Sequence, residues 1–142
     1  MYVVTAGTFD MLHKGHLNLL QRCRSLAGPN GHVHVLVNGD TFVTEFKGRE
    51  PVQDESTRLK VVEALRMVDT AEVGRSRKSL RNLLGELQAL VVADNLLLVV
   101  GSDWLSKEYY KQVDMSPEEA EKILVYVPYT QGVSSTEIRE RL

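Results

Sequence analysis

Short apolar runs alternate along this chain with stretches of helical periodicity. Tyr2 to Ala6 reads as a buried strand that ends at Gly7. Leu17, Leu20, Cys23 and Ala27 recur at helical spacing and predict a helix over about residues 15–27, closed by Gly28-Pro29. Val33, Val35 and Val37 alternate with His32, His34 and Leu36, a second strand ending at Asn38-Gly39. Residues 40–53, with Lys47-Gly48-Arg49 and Pro51, read as a loop. Glu55 to Val68 is helical, with Leu59, Val62 and Leu65 as its apolar face, and a short strand follows at Thr70 to Val73. Ser79 to about Ala89 is an amphipathic helix, and Leu96 to Val100 a buried strand. Ser116-Pro117-Glu118-Glu119 is a helix start. Ile123 to Val127 is the last strand, stopped by Pro128, and Ser134 to Leu142 the last helix, its Ser134 and Glu137 spaced as a capping box.

Strands and helices in this order predict an α/β fold, a parallel sheet with helices on both faces. No repeat or linker-like stretch interrupts it, so residues 1–142 are expected to form one domain. In such sheets ligands bind beyond the carboxyl ends of the strands. Three polar, Gly-containing segments leave strand ends: Gly7 to His16, Gly101 to Trp104, and Tyr129 to Thr136.

Composition narrows the field. Seventeen Lys and Arg stand against 19 Asp and Glu, a formal net charge of -2. A broad nucleic-acid face, which needs clustered positive charge, is not expected. The apolar runs, such as Ala89 to Ala93, are too short to span a bilayer, and the first residues lack the pattern of a secretory signal, so a cytoplasmic protein without membrane contact is expected. Cys23 is the only cysteine, which excludes an intrachain disulfide, and its helical position predicts a packed core thiol.

The segment from Thr5 to His16 carries the chemistry. His13 and His16 are three apart, so both imidazoles fall near one face of a first helical turn. Gly15 between them lets a bulky group approach the backbone. A helix N-terminus adds N–H groups and a positive dipole end. Together they form a cradle for an anion, most naturally a polyphosphate. Two histidines at this spacing are also compatible with metal binding, but zinc wants a third protein ligand and His32 and His34, on another strand, give no clear one.

The string GTFDMLHKGH resembles the signature of the nucleotidyltransferase superfamily with the H-x-G-H motif, and it is closest to the glycerol-3-phosphate and phosphocholine cytidylyltransferase branch. Glu55-Ser56-Thr57-Arg58 and the segment Ala64 to Asp69 are similar to that family's arginine-bearing helix. Gly101-Ser102-Asp103-Trp104 resembles its Gly-Asp-Asp-Trp segment. Thr130 to Thr136 resembles its Arg-Thr-x-Gly-Ile-Ser-Thr-Thr motif, with Tyr129 where the family has arginine.

The resemblance implies a Rossmann-like three-layer sandwich and transfer of CMP from CTP to a small, glycerol-3-phosphate-like phosphomonoester, with release of pyrophosphate. It implies Mg2+ as cofactor, held mainly by phosphate oxygens with Asp10 or Asp103 at most assisting, and a homodimer. His13 and His16 would donate to the triphosphate, Thr8 and Phe9 would offer backbone N–H groups, and Lys47 would meet phosphate. Asp103 and Trp104 would hold ribose and base. Thr130, Gly132, Ser134, Ser135 and Thr136 would wall the β- and γ-phosphates, and Arg139 would reach back to replace the arginine lost at Tyr129. Arg75, Arg77, Lys78 and Arg81 form a second basic cluster in a segment comparable to phosphate-binding ones. Arg58 and Arg66, eight apart on one helix, would either hold the site together or serve a subunit interface. Asp10 reads as a structural loop acceptor rather than a base, and Lys14 as a solvated side chain. Two other readings stay open: an ATP-dependent adenylyltransferase, because related enzymes carry a segment like Ser134 to Arg139, and a nucleotide-binding regulatory domain with impaired turnover.

Overall fold

A computed structural model describes residues 1–102 and 109–128. Five parallel strands run β1 Tyr2–Gly7, β2 His32–Asn38, β3 Thr70–Gly74, β4 Leu96–Gly101 and β5 Leu124–Val127, in the spatial order β3-β2-β1-β4-β5. Tyr2 pairs with His32 and Leu96, and Leu98 with Leu124. Six helices join them: α1 Lys14–Ala27, α2 Asp40–Lys47, α3 Glu55–Glu63, α4 Lys78–Leu90, α5 Tyr109–Gln112 and α6 Pro117–Ile123.

Alternation along the strands divides the core into two slabs. Val3, Val33, Val35, Val37 and Val99 face Leu20, Cys23 and Ala27 of α1 and Val62 of α3. Val4, Leu36, Leu96, Leu98 and Val100 face Leu80, Leu84 and Leu87 of α4 and Ala120 and Ile123 of α6. The fold is therefore the expected three-layer α/β sandwich. Cys23 lies in the first slab, fully buried, and burial pushes its thiol up to about 12. That is a packed thiol rather than a nucleophile.

The strand order places the site. The chain steps outward from β1 to β2 to β3, then crosses back to the other side of β1 for β4 and β5. The carboxyl ends of β1 and β4 thus flank a topological switch point, where the loops part and leave a crevice. The loop from Gly7 to His13 opens from one side of it.

Three elements differ from the sequence reading. Residues 40–47 form helix α2 rather than a loop. Its N-cap is Gly39, which has no side chain to cap with; the role falls to Glu55, whose Oε1 accepts from the Asp40 N–H at 3.0 Å. Helix α3 ends at Glu63 instead of reaching Val68: the N–H groups of Leu65 and Val68 bond three residues back, to Val62 and Leu65, so the chain tightens into turns. Arg66 is thus exposed beyond the helix rather than on one side of it with Arg58. The short α5 was not expected at all. The Ser116 cap matches the expectation, its side chain accepting from Glu119 N–H at 3.1 Å. The final helix expected at Ser134 to Leu142 lies outside the described residues.

Candidate active site

His13 is the N-cap of α1 and His16 its third helical residue, and together they form a capping box built from imidazoles. His13 Nδ1 accepts from Gly15 N–H at 3.1 Å, and His16 Nδ1 accepts from His13 N–H at 3.1 Å. The rings stack with centroids 3.9 Å apart. An Nδ1 that accepts from the backbone carries no proton, so in each neutral ring the proton sits on Nε2. Both imidazoles are therefore fixed in the tautomer that donates away from the helix. The N–H groups of His13 and Gly15 are spent on the imidazoles, and the donor of each neutral ring faces outward on Nε2.

His16 is mostly buried, and its pKa is lowered to about 4, first by burial, then by the neighbouring His13, with Lys47 lowering it further against the opposing pull of Asp10. At neutral pH it is an uncharged donor. Phe9 packs against it at 5.5 Å between centroids. Phe9 and Met11 both adopt left-handed backbone, φ 53° and 49°, which costs a side-chain-bearing residue about 1 kcal/mol each. The cost is offset by the burial of the Phe9 ring and by a bond from Met11 N–H to Gln53 Oε1 at 3.1 Å. A Cβ at Gly7 would stand 3.0 Å from Phe9 Cε2, so a side chain there would have to push the ring aside.

Two charged residues hold this loop from behind. Asp10 accepts from Val52 N–H at 2.8 Å and Gln53 N–H at 2.9 Å, so each carboxylate oxygen is committed to backbone, and it is the structural acceptor the sequence suggested. Arg58 is completely buried. Its guanidinium donates to the carbonyls of Thr8 (2.7 Å), Asn38 (2.6 Å) and Gln53 (2.9 Å), and to Asp40 Oδ1 (2.7 Å). One side chain thus joins the ends of β1 and β2, the start of α2 and the strap before α3. Of the two roles open to Arg58 in the sequence, the described contacts are those of holding the site together. Sequence reasoning could not specify these partners, which lie up to 50 residues away.

The remaining residues sort as follows. Thr8 uses its carbonyl on Arg58, and Gly15 is the second residue of α1. Lys47, the last residue of α2, is brought close enough for its charge to reach His16, and its Nζ lies 5.9 Å from the Phe46 ring centroid. Lys14 is exposed, as expected. The second basic cluster is largely spent on structure. Arg75 pairs with Glu55, Arg77 donates to the Gln112 and Lys111 carbonyls, and Arg81 forks onto Glu119 at 2.8 and 2.9 Å. A cavity of about 520 Å³ lies between α2 and residues 50–54, lined among others by Asp40, Glu45, Glu50 and Asp54. Its walls are mainly acidic, with Asp40 paired to Arg58. Asp103, Trp104, Thr130, Gly132, Ser134, Ser135, Thr136 and Arg139 lie outside the described residues. Among the described residues no three His, Cys, Asp or Glu side chains lie close enough to hold a metal ion, and no helix is long and apolar enough to cross a membrane.

The paired imidazoles stand at the β1–α1 junction, at the switch point of a parallel α/β sheet, where such folds take their ligands. The comparisons with known proteins carry this further. A family model described as cytidylyltransferase-like matches residues 4–141, and the chain belongs to that family within the nucleotidyltransferase superfamily. It is 36% identical over 110 residues to an FAD synthase of Korarchaeum cryptofilum, covering 78% of this chain and 74% of that protein. It is 29% identical over 140 residues to the glycerol-3-phosphate cytidylyltransferase of Bacillus subtilis, covering 99% and 95%. Among solved structures, the lipopolysaccharide core biosynthesis protein of Thermoplasma volcanium GSS1 shares the fold with a TM-score of 0.60 at 23% identity, over 92% of this chain and 96% of that one.

Proposed function

We propose that this enzyme transfers a nucleoside monophosphate from a nucleoside triphosphate to the phosphate of a small phosphomonoester. An acceptor phosphate oxygen attacks the α-phosphorus, the bond from that phosphorus to the β-phosphate oxygen breaks, and pyrophosphate leaves with the electron pair. The acceptor is already ionised at neutral pH, so no general base is required. Catalysis is positioning plus stabilisation of charge on the phosphate oxygens. The observation that carries this reading is the pair of Nε2 donors, held by backbone bonds in one tautomer and therefore needing no reorganisation as charge develops. Lys47 adds a positive charge on the same side.

The triphosphate enters as its magnesium complex. With both oxygens of Asp10 bonded to backbone, the ion's ligands come mainly from the phosphates themselves. Trp104 and Asp103 are assigned to base and ribose, and Thr130, Gly132, Ser134, Ser135, Thr136 and Arg139 to the β- and γ-phosphates, on the sequence resemblance alone.

For the substrates, the sequence reading put CTP and glycerol phosphate first. Two observations favour ATP and a flavin phosphate: the higher identity to an FAD synthase, and Tyr129 in place of the arginine of the cytidylyltransferase motif. The cytidylyl reading stands second, on the near full-length match to the Bacillus subtilis enzyme. Pyrophosphate release measured with ATP and CTP, each against flavin mononucleotide, glycerol 3-phosphate and phosphocholine, decides between them. Release with no combination at all overturns the transfer reading and leaves the regulatory domain.

A further inference from the structure

Helix α2 presents different surfaces around its axis. Asp40, Thr41, Thr44 and Glu45 line the acidic cavity, Val43 is buried, and Phe42 and Phe46 project on a third side. The two phenyl rings stack, with centroids 5.7 Å apart and planes 24° from parallel. Phe42 is half-buried, whereas Phe46 keeps 46% of its surface in water. Leu17, also exposed, follows His16 directly in α1. The Phe42–Phe46 side of α2 is thus aromatic, while its cavity side carries Thr41, Thr44 and carboxylates.

We propose that Phe42 and Phe46 are the platform for the body of the acceptor, and that this body is a flat aromatic ring system whose phosphate is met by Lys47 and the paired histidines. Lys47 makes the link: it is the next residue after Phe46, and its ammonium lies 5.9 Å from that ring. A phosphate held by this lysine places the rest of a phosphomonoester within reach of the ring. The charges agree, since the acidic cavity on the neighbouring side of α2 turns the anionic end away and leaves the aromatic side for the uncharged body. A ring stacked on phenyl side chains gains an offset stacking interaction that a three-carbon polyol does not.

The proposal rests on the nucleotidyl-transfer reading but is tested apart from it, with flavin mononucleotide as the ring-bearing probe and glycerol 3-phosphate as the ringless one. Binding is read by quenching of flavin fluorescence, and transfer by pyrophosphate release with ATP and with CTP. The expected result is a flavin KM well below that for glycerol phosphate. Phe46→Ala should raise the flavin KM and weaken quenching about tenfold, with kcat held within about twofold; Phe46→Tyr, which keeps the ring face, should behave like the parent. Unchanged flavin binding in Phe46→Ala and in the Phe42→Ala/Phe46→Ala double variant overturns the platform, as does transfer to glycerol phosphate alone. Failure of transfer with every pair overturns the functional reading, and the quenching arm still decides the platform.

Discussion

Two pairs of histidines lie on this chain, and the structure uses them in opposite ways. His13 and His16 give their Nδ1 atoms to backbone N–H groups, which puts the proton of each neutral ring on Nε2. His32 and His34 meet over one hydroxyl: His32 Nε2 and His34 Nδ1 each lie 2.6 Å from Thr70 Oγ1, and His34 Nε2 lies 3.1 Å from Glu72 Oε1. Next to a carboxylate, His34 Nε2 must donate; its Nδ1 then accepts from the Thr70 hydroxyl, which accepts in turn from His32. Three of the four ring nitrogens of the second pair are thereby satisfied by neighbouring side chains, and Tyr2 stacks on the His32 ring at 4.7 Å. In the first pair the backbone fixes the tautomer of each ring, whereas in the second the ring nitrogens fasten strand to strand through side chains.

The largest effect comes from dismantling what stands behind the first pair without touching either histidine. Arg58→Met strands three carbonyl acceptors and leaves Asp40 without its buried partner, which should cost about 3–5 kcal/mol of folding stability in urea unfolding, with activity lost alongside. Next come the histidines themselves. His13→Ala and His16→Ala should each lower kcat at least roughly a hundredfold, as removal of one pre-set donor does; near-parental turnover in either ends the assigned role. The same substitutions at His32 and His34 should leave kcat within about twofold and act on stability instead, more at His34, which is buried and bonded through both ring nitrogens.

The pH response tests His16 directly. Because the folded pKa of His16 is depressed to about 4, the unfolded chain binds a proton that the folded chain refuses between about pH 4 and 6.5. Stability then rises with pH through that window, is complete above it, and is lost as the pH falls. The loss between pH 7 and pH 5 should be about 2 kcal/mol. His16→Gln should flatten that part of a stability–pH curve, whereas an equal slope in parent and variant assigns it elsewhere.

What the sequence disclosed follows the range of the interactions. The His pair was legible because its capping box closes within four residues, and the strands were legible because their apolar runs are local. Helix α2 was missed because its cap, Glu55, comes from 15 residues further on, and eight residues without a local cap give no start signal. The Arg75 to Arg81 cluster read as phosphate-binding because the partners that absorb it, Glu55, Glu119 and the Lys111 and Gln112 carbonyls, are remote in sequence. Arg58 was singled out, but nothing local says that it joins four segments.

Helices α2 and α3 also cap one another. Asp40 N–H donates to Glu55 Oε1, and Glu55 N–H donates to Asp40 Oδ2 at 3.1 Å. An isolated eight-residue helix is not stable in water, so α2 has no independent existence before the start of α3 arrives to cap it. During folding, Lys47 and the phenyl pair therefore reach their places only when residues 40–58 close as one unit. The position of α2 thus rests on a contact between two carboxylate-bearing helix starts.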